Sequence, residues 1–234
     1  MKTKKLLTLA VLLLLGCAGG PSDSASPSPS PQPTLTLSEE EIKKLWSEVN
    51  GLERGNLMNI SKDPARSLEL LSRLAAAGDD EAMLKLADGY AEGWDGTTAK
   101  DFNKAKEWYL RAAAATDSPS IAYANIGDLY RKGGPGLAAD GPKAKEWYEK
   151  AIAAGFRSHA PMALANLYRR GAPGLEPDWV RAKELYEKSQ DSDAYKALAE
   201  MYKEGGHGLK KDPAAAEEWA KKAATNAPVL PGFL

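Results

Sequence analysis

The sequence predicts an all-α solenoid of stacked helix pairs, and three observations carry that prediction. Tyr90, Tyr130, Tyr168 and Tyr202 recur at intervals of 40, 38 and 34 residues, a period typical of repeat architectures. Each tyrosine has the same surroundings: a large aliphatic four residues earlier (Leu86, Ile126, Leu164, Leu198), a small residue three earlier (Ala87, Gly127, Ala165, Ala199), and alanine eight earlier (Ala82, Ala122, Ala160, Ala194). Offsets of three, four and eight share one helix face, and small residues there let a neighbouring helix come close. The connecting segment also repeats, as Gly-Gly-Pro-Gly-Leu at 133–137, Gly-Ala-Pro-Gly-Leu at 171–175 and Gly-Gly-His-Gly-Leu at 205–209.

The chain is 234 residues long with 31 Lys+Arg against 32 Asp+Glu, a balance that argues against nucleic-acid binding. Residues 1–16 read as a signal peptide: Lys2, Lys4 and Lys5 precede an apolar run from Leu6 to Leu15 that is short for a bilayer span. Leu14-Leu15-Gly16-Cys17 looks like a bacterial lipobox, in which Cys17 is acylated and becomes the mature N-terminus. The alternative is an ordinary signal cleaved near Ala18-Gly19-Gly20, with Cys17 carrying no function. Residue 18 is Ala rather than Asp, and the resemblance to enterobacterial lipoproteins implies export to the outer membrane, facing the periplasm. Residues 17–37, rich in Ser and Pro, form a semi-rigid tether that cannot bury a core.

The solenoid is expected over 38–227. An atypical first pair at 38–79 caps the stack, with Asp63-Pro64, Ser67, Leu70 and Leu71 in the register of a second helix. Repeats follow at about 80–117, 118–156, 157–191 and 192–227. In each, helix A ends at a glycine three residues after the tyrosine (Gly93, Gly133, Gly171, Gly205), the residue best suited to a left-handed terminus. An aspartate (Asp101, Asp140, Asp178, Asp212) then stands as N-cap of helix B, worth about 1 kcal/mol and structural rather than catalytic. Helix B carries Ala105-Trp108-Tyr109, Ala144-Trp147-Tyr148, Ala182-Leu185-Tyr186 and Ala216-Trp219-Ala220, aromatics that wedge each pair against the next. The tail 228–234 is expected to fold back over the last pair, or to protrude as a peptide for a partner.

The pattern Ala-x3-Leu-[Ala/Gly]-x2-Tyr-x2-Gly, Gly-Leu-x2-Asp, Lys-Ala-x2-Trp-Tyr-x2-Ala resembles the Sel1-like repeat family, a relative of the tetratricopeptide repeats. The departures are Leu185 for Trp and Ala220 for an aromatic. The resemblance implies a right-handed solenoid of four to five antiparallel pairs and a role as a protein-binding scaffold or adaptor. It also admits a narrower role, since some envelope lipoproteins of this kind are immunity proteins that neutralise an antibacterial toxin effector.

Chemistry is sparse. One Cys and two His provide neither a zinc set nor a disulfide framework, so no metal and no cofactor is expected. No serine lies in a nucleophile-elbow pattern, and the glycine loops lack the Lys-Ser/Thr of a phosphate loop. His207 occupies the column of Pro135 and Pro173, and His159 that of Glu81, Ile121 and Asp193, so neither stands out. The chain is therefore read as no enzyme. An envelope hydrolase is the remote alternative, to be revived by a cleft containing a hydrogen-bonded Ser or His.

Partner binding is expected on helix A, which lines the concave groove of the tetratricopeptide relatives. Two residues before the tyrosine stand Asp88, Asp128, Asn166 and Glu200; one after it stand Ala91, Arg131, Arg169 and Lys203. This gives an acidic or amide row beside a basic one. Arg131 and Arg169 are the first candidates because guanidinium grips carboxylates bidentately, although Asp128 with Arg131 and Glu200 with Lys203 also suit simple i,i+3 pairing. Trp94 and Trp179 lie outside the repeat's own tryptophan column and are further anchor candidates, with packing against the solenoid as the competing role. The expected partners are envelope proteins, among them a toxin effector in the immunity reading, and the membrane through the N-terminal lipid.

Overall fold

A computed structural model describes residues 35–54, 63–94, 99–157, 159–189 and 191–225. The signal, Cys17, nearly all of the tether, and the tail 228–234 lie outside the described residues. Within them the chain forms ten α-helices and no strand. The first pair is α1 (Glu39–Arg54) and α2 (Pro64–Ala76); the second is α3 (Asp80–Glu92) and α4 (Phe102–Ala115). Then come α5 (Ser120–Lys132) with α6 (Gly141–Ala153), α7 (His159–Arg170) with α8 (Trp179–Ser189), and α9 (Ser192–Glu204) with α10 (Pro213–Thr225). Each helix packs on the one before and the one after, and α5 also touches α7, as a helical-repeat fold requires.

The repeated columns are its core. Ala82, Leu86, Ala122, Ile126, Ala160, Leu164, Ala194 and Leu198 are all buried, as are Tyr109, Tyr148 and Tyr186 of the second helices. Trp147 and Trp219 are half-buried and lie across Tyr123 and Tyr195 of their own pairs, with ring centroids 5.5 and 5.3 Å apart. The Nζ atoms of Lys150 and Lys222 sit 4.1 Å from the same two indole rings, a cation–π arrangement on the outer side. Trp46, outside the repeat column, donates its indole N–H to Asp79, whose other oxygen caps α3 at Ala82. That bond ties the first pair to the second.

Gly127 shows why small residues are needed in helix A. A Cβ built there would lie 2.7 Å from the ring of fully buried Tyr148. Gly127→Ala should therefore destabilise the chain: overpacking of about 1–3 kcal/mol outweighs a helix-propensity gain of about 1 kcal/mol. A thermal melt monitored by circular dichroism that shows an unchanged or raised midpoint would refute this.

Aspartate caps stand where the sequence puts them. The carboxylates of Asp101, Asp140 and Asp178 accept from the backbone N–H of Lys104, Lys143 and Arg181, and Asp212 accepts from Ala214 and Ala215. The glycine terminators differ in detail from the expectation. Gly133 and Gly205 have φ of 61 and 67° but ψ of 160 and 159°, so they are not left-handed helical but occupy the extended mirror region that essentially only glycine enters. The reason is the tight loop that follows, in which Gly134 and Leu137 exchange two backbone hydrogen bonds of 2.8 and 3.0 Å, and Ala172 with Leu175 and Gly206 with Leu209 do likewise.

Those loops also hold neighbouring repeats together. The first residue of a second helix donates its backbone N–H to the middle of the next repeat's loop: Phe102 to Pro135 (2.9 Å), Gly141 to Pro173 (2.8 Å), and Trp179 to His207 (3.1 Å). In α10 the same position is Pro213, which has no N–H to give.

Candidate functional site

The helix A face carries a row of polar latches. Tyr109 donates its hydroxyl to Asp88, Tyr148 to Asp128 (2.7 Å), and Tyr186 to Asn166 (2.8 Å). The residue two before each repeated tyrosine thus receives the buried phenol of its own helix B. The hydroxyls stay protonated: burial, then the carboxylate partner, drives Tyr148 well above its ordinary range, and burial pushes Tyr186 up to about 12. In the fifth pair the phenol is missing, because Ala220 stands there. Glu200 instead takes an ion pair of 2.9 Å from Arg169 of the preceding repeat.

Asp128 is the centre of the richest cluster. Its Oδ1 accepts from Tyr148 and from Nε and a terminal nitrogen of Arg131 at 3.1 and 2.9 Å, and Nε of the same guanidinium lies 3.1 Å from the Tyr148 hydroxyl. Its Oδ2 lies 2.9 Å from Nε2 of His159 on α7. Burial works to raise the carboxyl's pKa, but the hydrogen bonds from Tyr148, Arg131 and His159 together hold it below the ordinary value. Asp88 faces the opposite balance: burial outweighs its single bond from Tyr109 and raises its pKa.

These opposite shifts have opposite consequences for stability. Ionised Asp128 stabilises the fold above the unfolded carboxylate pKa, and that contribution disappears as pH falls through the lowered folded value. Ionised Asp88 is a burden at neutral pH that is relieved as pH falls through its raised value. Asp128→Asn should therefore lower stability at pH 7 by about 1–3 kcal/mol and flatten the loss toward acid. Asp88→Asn, which recreates the Tyr186–Asn166 pairing, should raise it. Urea titrations of both variants at pH 7 and 4 test the signs; equal effects at both sites would contradict this account.

Around Asp128 the helix A faces of α5 and α7 and the loop after α7 enclose an open groove of about 490 Å3. Its lining includes Arg131, His159, Met162, Asn166, Leu167, Arg170 and Pro173. Of the expected residues, Asp128, Arg131 and Asn166 meet in this groove. Arg169 bridges to Glu200, Lys203 is exposed on α9, and Asp88 lines a smaller hollow of about 250 Å3 with Trp94. Trp179 is 9% exposed and Trp94 half-buried, both packed against their own chain. Composition and spacing did not single out His159, Met162, Arg170 or the latch function of Tyr148. No repeated chemistry in those positions marked them.

A cleft with a hydrogen-bonded histidine is thus present, but the described lining contains no serine, threonine or cysteine, and both oxygens of Asp128 are engaged. The described lining thus sets no hydroxyl or thiol side chain of Ser, Thr or Cys beside that histidine. Among the described residues no His/Cys/Asp/Glu group is placed to hold a metal, and no helix is long and apolar enough to cross a membrane.

Among the described residues, ten helices in repeated pairs, aspartate caps on the second helices and a groove across successive first helices define a helical-repeat protein. The chain belongs to the Sel1 repeat family, whose repeat matches residues 51–79, 80–117, 120–156, 158–189 and 192–227. Among solved structures it is similar to a protective antigen of uropathogenic Escherichia coli strains that displays an SLR fold, with 25% identity and a TM-score of 0.63. That match covers 79% of this chain but only 38% of the antigen chain. It is also similar to a Sel1 repeat protein from Oxalobacter formigenes, at 28% identity and a TM-score of 0.57, over 78% of this chain and 70% of that one. No curated protein sequence matches the chain.

Proposed function

We propose that the chain is a non-catalytic scaffold or adaptor of the bacterial envelope, anchored through acylated Cys17 and holding a partner protein on its helix A face. The groove between α5 and α7 is the observation that carries this reading: it is open, lined by both polar and apolar side chains, and framed by the hydrogen bonds of Asp128, Arg131 and Tyr148. The family supplies the general role in protein–protein interaction. Leu14-Leu15-Gly16-Cys17 supports the anchor and Ala18 the outer membrane.

Crosslinking in intact cells, followed by purification of the acylated protein, should recover a stoichiometric partner. Cys17→Ser should abolish the acylated N-terminal peptide in mass spectra and release the protein from the membrane fraction. A toxin effector among the recovered proteins would narrow the role to immunity. Failure to recover any partner, together with turnover of generic ester or peptide substrates that Asp128→Asn abolishes, would overturn the scaffold in favour of a hydrolase.

A further inference from the structure

We infer that the α5–α7 groove selects a partner segment in which an acidic side chain stands next to an aliphatic one, and that Arg170 is the cation that receives the acid. This rests on the scaffold reading and adds the partner's chemistry. Asp128, the only carboxylate in the described lining, has one oxygen occupied by Tyr148 and Arg131 and the other by His159. A partner's lysine or arginine entering the groove finds no carboxylate oxygen that is not already engaged.

The cations are differently placed. Arg131 engages Asp128 and Tyr148 through Nε and one terminal nitrogen, which leaves its other terminal nitrogen for a ligand. Arg170, the last residue of α7, is exposed and has no ion pair or hydrogen bond among the described residues. Arg169, its neighbour, is already paired with Glu200. A carboxylate in the groove therefore meets Arg170 and the remaining donors of Arg131, in the forked geometry that suits guanidinium. Met162, Leu167 and Pro173 add apolar surface to the same lining. Methionine there adapts to differently branched aliphatic side chains.

The test uses the full chain with 13C-labelled methionine methyls, adding the blocked peptide Gly-Ser-Glu-Leu-Ser-Gly or its Gln and Lys counterparts. Met162 reports the groove, while Met83 and Met201, buried in α3 and α9, serve as internal controls. The Glu-Leu peptide should shift Met162 saturably and leave both controls still, with binding at least tenfold weaker for Gln and for Arg170→Glu. Lys210→Glu, a reversal at an exposed residue outside the groove, should leave the affinity unchanged. Equal or better binding of the Lys peptide, no shift at Met162, or the same loss from Lys210→Glu as from Arg170→Glu would each overturn the inference. The scaffold reading is judged separately: if the natural partner is still captured by Arg170→Glu as by the unaltered chain, the scaffold stands and this selectivity fails.

Discussion

Trp179→Ala is expected to destabilise the chain by about 3–5 kcal/mol, the range for truncating a buried aromatic. The residue closes a junction by three routes, two of them through its side chain. Its indole N–H donates to the carbonyl of Arg169 at 2.8 Å, one of the last carbonyls of α7 that no helical partner satisfies. Its ring lies 5.3 Å from that of His207, in the loop of the fifth repeat. Its backbone N–H supplies the junction bond to His207, which survives substitution. Trp179→Phe should therefore lose less, about 1–3 kcal/mol, because it keeps most of the packing but orphans the carbonyl. Hydrogen exchange should show the alanine variant opening first in α9 and α10. A variant within about 1 kcal/mol of the parent by urea unfolding would show that Trp179 is not a junction residue.

The second large effect is a compensated pair. A Cβ at Gly89 would lie 2.0 Å from the indole of Trp94, so the tryptophan occupies the space directly over the glycine. The residues equivalent to Gly89 are Leu129, Leu167 and Met201, all buried, and those equivalent to Trp94 are Gly134, Ala172 and Gly206. The second repeat has exchanged a large side chain on the helix for one from the loop. Trp94→Gly should lose about 3–5 kcal/mol by leaving a cavity, and Gly89→Leu about 1–3 kcal/mol by overpacking. Combined, they restore the arrangement of the other repeats, and the double variant should be more stable than Trp94→Gly alone. Additive losses in the double-mutant cycle would show that the two do not share one space.

That pair shows what the sequence disclosed and what it did not. The columns Leu86, Ile126, Leu164 and Leu198 and the aspartate caps were legible because each is fixed by local helix geometry and recurs. Trp94 was visible as an exception, yet its meaning needed the simultaneous exception at Gly89, and only proximity links the two. The site was harder still. Asp128 was legible as a helix A surface residue and its pairing with Arg131 as an i,i+3 neighbour, but Tyr148 lies 20 residues on and His159 31. Those bonds depend on how α5, α6 and α7 pack, which spacing within a helix does not encode. His159 belongs to a column that reads Glu, Ile, His and Asp, in which no residue stands out.

The proline at position 213 bears on how one copy of the chain meets another. A row of donors that ran on unchanged through every second helix would present, beyond the fifth repeat, the same invitation that Phe102, Gly141 and Trp179 extend to their neighbours. Another molecule's loop would fit it, and head-to-tail growth into a filament would follow from the repeat itself, since contacts of that kind do not close. Pro213 withdraws the donor at the last second helix, as Pro64 does at the first. A loop of another copy meeting that helix finds no amide hydrogen to accept, so the junction bond used within the chain has no counterpart there.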